Sequence, residues 1–287
     1  MALFREEDLS DRPLTAPALI AAFDGWVDAA GASSAATERL AKGGALVATF
    51  DADVLFDYRS RRPVLDVVDG TPTRLTWPSL ELHRIEADGR DLLVLHGAEP
   101  DFRWHELGRD VLELSLRFGV VQWVSLGAIP AAVPHTRPVT VLATASAEGL
   151  LQAGQVPGPP GLLRVPSACL SALELAVSGS GLPAVGFYAQ VPHYVGGPFA
   201  AGTLALLQNV ERQLGIALPL DELEEEADGQ RRRLDTAVEA DDDVREILER
   251  LERARDEEIP SGDELAAEIE RFLRTEGGDG GTLPPRG

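Results

Sequence analysis

Pro17-Ala18-Leu19-Ile20-Ala21-Ala22-Phe23-Asp24-Gly25-Trp26-Val27-Asp28-Ala29-Ala30-Gly31-Ala32-Ser33-Ser34 is the stretch whose reading decides the fold. Pro17 to Phe23 is an uncharged run of strand length, and Asp24-Gly25 is a turn signal. Asp28 is placed to cap a helix of small residues reaching Lys42, because its side-chain oxygens can accept the free N–H groups of a first turn. Gly43-Gly44 ends that helix, and Ala45 to Phe50 reads as a second strand. Strand, turn, helix, strand is a βαβ opening, and it points to the α/β class.

Further along, the pattern changes. Asp69-Gly70 and Asp88-Gly89 are hairpin signals, since both turn positions favour residues that tolerate positive φ. They separate strand candidates at Val64 to Val68, Thr73 to Trp77, Leu80 to Glu86 and Leu92 to His96, so the sheet is expected to be mixed. A helix is predicted from Asp101 to Phe118 with Asp101 as its N-cap, and Gly119 stops it. Strands follow at Val120 to Leu126, Val139 to Ala143 and Pro183 to Ala189. Helices are predicted over Ser167 to Ser178 and Ala200 to Leu214. After Leu220 only helical spacing remains: Val244, Ile247, Leu248 and Leu251, then Leu265, Ile269, Phe272 and Leu273. The expected organisation is an α/β core over residues 1–216, an acidic helical region over 217–275 and a disordered Gly/Pro-rich tail over 276–287.

A chain of 287 residues buries roughly 75% of its unfolded surface and needs no covalent staple. Cys169 is the only cysteine, which excludes an intrachain disulfide and fits a cytoplasmic protein. There is no run of about 18 apolar residues and no basic start followed by an apolar stretch, so neither a membrane span nor secretion is expected. Net charge is −21, with 22 acids and nine arginines between residues 216 and 276. Such a field repels phosphate backbones and anionic lipid, which argues against nucleic acid or membrane as partner. No phosphate loop, His-Glu-x-x-His, nucleophile elbow or dinucleotide fingerprint is present, and no metal or cofactor is expected.

Candidate site residues lie where strands end. Val133-Pro134-His135-Thr136-Arg137-Pro138 and Val191-Pro192-His193-Tyr194-Val195 repeat one Pro-His order after separate apolar runs. Loops beyond the carboxyl ends of strands form the ligand crevice of open α/β sheets, and histidine there can donate, accept or carry a proton. The first turn adds Gly25, Trp26, Asp28 and Ser33 at a helix start, where free N–H groups suit a phosphate or carboxylate. Glu99 and Arg103 follow the strand that ends at His96. Each has a plainer reading, as cap, loop anchor or salt-bridge partner, and Arg137 could balance an acidic ligand or pair with Glu99.

Eight segments in order resemble the actinobacterial branch of the proteasome assembly chaperone 2 family: Asp24 to Ala30, Arg62-Pro63, Asp69-Gly70, Thr76-Trp77-Pro78, Gly97 to Trp104, Leu126-Gly127-Ala128, Val133 to Pro138 and Val191 to Val195. The resemblance covers residues 17 to about 255. It implies an α/β core similar to nucleoside phosphorylases and hydrolases, a helical C-terminal addition, homotrimers and no established catalysis. Relatives that dock into proteasome rings end in hydrophobic-Tyr-any residue. This chain closes on Pro284-Pro285-Arg286-Gly287, so docking by such a tail is not expected. The first expectation is therefore a non-catalytic assembly or scaffolding protein, a homo-oligomer with a possible protein partner. The alternative is an enzyme of hydrolase or phosphorylase type, or a sensor, binding a nucleoside-like or other small anionic metabolite at the strand-end loops.

Overall fold

The computed structural model describes residues 2–7 and 13–258. The predicted continuation of the helical region past residue 258 and the Gly/Pro-rich tail lie outside them. In chain order the elements are β1 (Phe4–Glu6), β2 (Ala18–Asp24), a 3-10 turn (Ala29–Gly31), α1 (Ala32–Ala41), β3 (Ala45–Phe50), α2 (Ala52–Leu55), β4 (Val64–Val68), β5 (Thr71–Thr76), β6 (Leu80–Ala87) and β7 (Arg90–Ala98). There follow α3 (Trp104–Arg117), β8 (Gln122–Ala131), β9 (Val141–Ala145), β10 (Val156–Pro157), α4 (Cys169–Ser178), β11 (Ala184–Pro192), α5 (Ala200–Leu214), α6 (Asp221–Glu239) and α7 (Asp242–Glu258). Two compact units result, one running from Met1 to Leu234 and a second beginning at Asp235.

The main sheet has nine strands in the order β1-β3-β6-β7-β2-β8-β11-β9-β10, and β4 and β5 form a separate ribbon. β7, β2, β8 and β11 are mutually parallel, while β6 and β9 pair antiparallel to β7 and β11. The sheet is thus mixed, as the sequence predicts. From β2 the chain moves to one side through α1 and β3, and it later returns past β2 to β8 on the other side. The carboxyl end of β2 is therefore a point of reversed strand order, where such folds open a crevice.

Burial follows strand alternation. Ile20, Val94, Val124, Leu126, Val185 and Phe187 face a core shared with α1 and α5. Leu19, Leu93, Leu95, Trp123 and Ala184 face the opposite core with α3 and α4. The first turns of α6 belong to the larger unit: Leu220, Leu223 and Ala227 join the α1/α5 core, and Gln230 Oε1 accepts the Ala200 N–H at 2.8 Å. Compactness therefore runs well beyond residue 216.

Asp69, Gly70, Asp88 and Gly89 all have φ between 50° and 77°, the double left-handed turn that Asp-Gly favours between strands. The helix predicted from Asp101 starts later. Arg103, at φ 60°, is the residue before α3, and the Asp101 carboxylate accepts the Asp57 N–H at 2.9 Å instead of capping the helix. β8 and β11 run past their expected ends to Ala131 and Pro192, which are paired. Pro192 is accommodated as a terminal strand residue, where a missing N–H breaks no inner ladder.

Candidate functional site

The carboxyl ends of β7, β2, β8 and β11 bring the predicted residues to one edge of the sheet. They do so as two clusters whose polar atoms largely bond one another.

In the first cluster Gly25 and Glu99 are in direct contact. A Cβ on Gly25 would lie 2.1 Å from Glu99 Oε2 and 2.4 Å from Glu99 Cβ, so only glycine fits. Glu99 Oε2 accepts the Trp26 N–H at 2.7 Å, and Oε1 accepts the Cys169 N–H at the start of α4, also at 2.7 Å. The carboxylate thus ties the β2 turn to a helix N-terminus, where negative charge is favoured. Burial and the neighbouring Glu99 charge push the Cys169 thiol well above its ordinary range, so it is inert as a nucleophile. Arg61, which the sequence did not single out, closes the other side: Nη1 donates to Asp24 Oδ2 and Nη2 to the Asp24 carbonyl, both at 2.6 Å. Trp26, Arg61, Glu99, Asp101 and Trp104 line a shallow cleft of about 510 Å³. Arg103 donates to Glu106 at 2.7 Å.

Asp28 occupies the seat that the sequence reading offered to an anion. Its Oδ1 accepts the N–H groups of Ser33 and Ser34 at 2.8 and 3.0 Å and the Ser33 hydroxyl at 2.7 Å, and Oδ2 accepts the Ser34 hydroxyl at 2.5 Å. The free donors at the start of α1 are thereby engaged by the chain's own carboxylate.

The two Pro-His loops form the second cluster, joined by Tyr194. The Tyr194 hydroxyl accepts the His135 N–H at 2.7 Å and sits 2.8 Å from His135 Nδ1. The His135 and His193 rings stand edge-on to the Tyr194 ring, with centroids 5.7 and 5.5 Å away. His193 extends the β8/β11 ladder by donating its N–H to the Ala131 carbonyl at 3.1 Å. His135 is buried. With Arg137, Phe199, Leu204 and Gln208 it lines a cleft of about 300 Å³, bounded on the far side by Asp228 and Arg231 of α6. Arg231 also donates to the Thr136 carbonyl at 3.1 Å. Glu99 and Trp26 line one cleft and His135 and Arg137 another, so the candidate residues share a sheet edge rather than a single concavity.

A third polar group lies under α4, unmarked in the sequence. Trp123 Nε1 donates to Ser125 Oγ at 2.7 Å, and that hydroxyl donates to Glu174 Oε2 at 2.5 Å. Burial raises the Glu174 carboxyl above its ordinary range, opposed by hydrogen bonds from Ser125 and Thr144. His83 and His96 meet Glu81 across β6 and β7.

Among the described residues no helix is long and apolar enough to cross a membrane. The family model described as "PAC2 family" matches residues 22–238, whereas no curated protein matches the chain. A Mycobacterium tuberculosis protein of unknown function superposes with TM-score 0.84 at 33% identity, covering 91% of this chain and 93% of its own. A second M. tuberculosis protein, a proteasome-assembly chaperone homologue, gives TM-score 0.73 at 32% identity over 80% of this chain and 99% of its own. A Streptomyces avermitilis PAC2 family protein gives 0.72 at 33% over 81% and 99%. With the family model spanning three quarters of its length and actinobacterial relatives at about one third identity, this chain belongs to the PAC2 family.

Proposed function

We propose that the protein is a non-catalytic, cytoplasmic assembly or scaffolding factor that works as a homo-oligomer, most simply the trimer implied by the family resemblance, and that its partners are proteins. The observation that carries this reading is where polarity and apolarity sit. At the sheet edge Glu99, Asp28 and Asp24 bond to the chain's own N–H, hydroxyl and guanidinium groups, which leaves little unassigned chemistry for a substrate. The β4–β5 ribbon, in contrast, exposes Val64, Leu65, Val67 and Val68 by more than half, and Trp26 and Phe102 stand equally open. Apolar surface of that kind on a soluble chain marks contact with other proteins. The M. tuberculosis relative described as a proteasome-assembly chaperone homologue supplies the class of role that we carry over.

Light scattering on the purified chain at micromolar concentration tests the oligomer. A multiple of the protomer mass is expected, lowered by Leu65→Asp and Val67→Asp. A single protomer mass for the unaltered chain overturns it. Native gels of separately purified actinobacterial proteasome α and β subunits test the role: excess chain is expected to speed half-particle formation. An unchanged rate, together with a metabolite that raises the melting temperature, would favour the ligand-binding alternative.

A further inference from the structure

The two-residue turn Asp88-Gly89 sets the β6/β7 register, pairing Ala87 with Arg90 and, further out, Glu81 with His96. Glu81 and His83, two apart on β6, share one face. His96 stands opposite Glu81 and diagonal to His83, within reach of both side chains. Thr49 of β3 stands beside Glu81 on that face, which continues as apolar surface through Leu92, Val94 and Ile85 towards α1. A carboxylate and two imidazoles at such a place are costly unless they bind something or one another.

His83 Nδ1 and His96 Nε2 lie 3.3 Å apart, and His83 Nε2 is 3.2 Å from Glu81 Oε2. One ligand atom from each of the three residues falls within 4.8 Å of the others. Zinc–nitrogen bonds of about 2.0–2.1 Å in tetrahedral geometry set neighbouring ligand atoms roughly 3.3–3.4 Å apart, the separation the two imidazoles already have. Bringing the carboxylate to the same spacing asks for a swing of Glu81 from His83 Nε2, the ring nitrogen it now faces, to the Nδ1 side that faces His96; its side chain is the more open of the two, 32% exposed against 18% for His83.

We propose that Glu81, His83 and His96 form a binding site for one first-row divalent cation of the zinc type, with a fourth coordination position open to water or to a ligand atom from a partner. Imidazole donors disfavour magnesium and calcium, which select all-oxygen sites.

The test uses the full chain, stripped with chelator and titrated calorimetrically with zinc chloride, with cobalt(II) chloride as a spectroscopic probe. One zinc per chain is expected, with visible absorption from nitrogen-ligated cobalt. At about 100 times the dissociation constant the melting temperature is expected to rise by roughly 5–10 °C. His83→Ala and His96→Ala should each weaken binding by at least about tenfold, because a three-residue site loses a third of its protein ligands. Glu81→Gln, which keeps volume, should weaken it as well. His105→Ala and His193→Ala should leave it unchanged, and magnesium chloride should produce no heat. Should a histidine variant fail to fold, the cobalt spectrum of Glu81→Gln still reports on the site. Absence of a saturable zinc site on the unaltered chain, or a site whose affinity survives His83→Ala, His96→Ala and Glu81→Gln, overturns the assignment.

Discussion

Glu99→Gln isolates what the carboxylate at the end of β7 does. Both oxygens of Glu99 accept backbone N–H groups, one from Trp26 and one from Cys169. Glutamine has the same shape but a single acceptor oxygen, so either choice of rotamer turns an amide NH₂ towards an N–H. Leaving one such donor unmet costs about 1–3 kcal/mol, at the lower end here because the Trp26 side is open to solvent. Loss of negative charge at the α4 N-terminus removes about 0.3–1 kcal/mol more. The total of roughly 1.3–3 kcal/mol, in a compact unit reaching from Met1 to Leu234, corresponds to a fall of roughly 3–12 °C in melting temperature at about 2–4 °C per kcal/mol. Differential scanning calorimetry, backed by urea unfolding, measures it. Gly25→Ala should match or exceed the loss, since its new Cβ meets Glu99 Cβ at 2.4 Å and no rotamer of Glu99 relieves that approach. A melting temperature for Glu99→Gln within 1 °C of the unaltered chain would refute the claim that this residue is a structural tie.

Asp28→Ala should destabilise by about 1–2 kcal/mol, because it strips the α1 N-terminus of its acceptor, while Asp28→Asn should recover much of the loss; paired urea curves decide. Asp91, fully buried and bonded by Arg84 at 2.8 Å and by the Thr15 N–H at 2.6 Å, should cost about 3–5 kcal/mol when replaced by alanine, since Arg84 then loses its counter-charge in a largely buried place. A loss under about 1 kcal/mol contradicts this. Glu174 has a carboxyl raised above its ordinary 4.5 by burial, so the folded state holds its proton where the unfolded state releases it. Stability from this group is complete below 4.5 and is lost as pH rises through the raised value. Glu174→Gln should therefore flatten the stability profile in that window and be neutral or stabilising at pH 7, as read from urea midpoints across pH.

Features with local causes were legible in the sequence. Asp88-Gly89 announces its hairpin because both positions need positive φ, and α5 occupies the predicted span Ala200–Leu214 because its apolar spacing, with Gly215 beyond it, is unambiguous. The α3 start was misread because Asp101 resembles a cap while its acceptor is taken up by Asp57, a partner 44 residues away. Glu99 could be suspected, but its role rests on Cys169, 70 residues downstream, and no local pattern encodes that pairing. The meeting of His135 with Tyr194 depends on β8 and β11 being parallel neighbours, which the repeated Pro-His order suggested but could not place. His83 and His96 could have been found by counting register from the Asp88-Gly89 turn, a step that needs the hairpin to be trusted first.

The Asp28 carboxylate at the start of α1 also sets a threshold for any outside anion. It is tethered five residues from the Ser33 N–H that it binds, and a group held by so short a connection acts as though present at millimolar concentration or above, by rough estimate. A phosphate or carboxylate arriving from solution must outcompete it for the same donors, and at micromolar abundance it loses. The turn is self-inhibited in this sense, and its geometry stays constant whatever the metabolite pool around it contains.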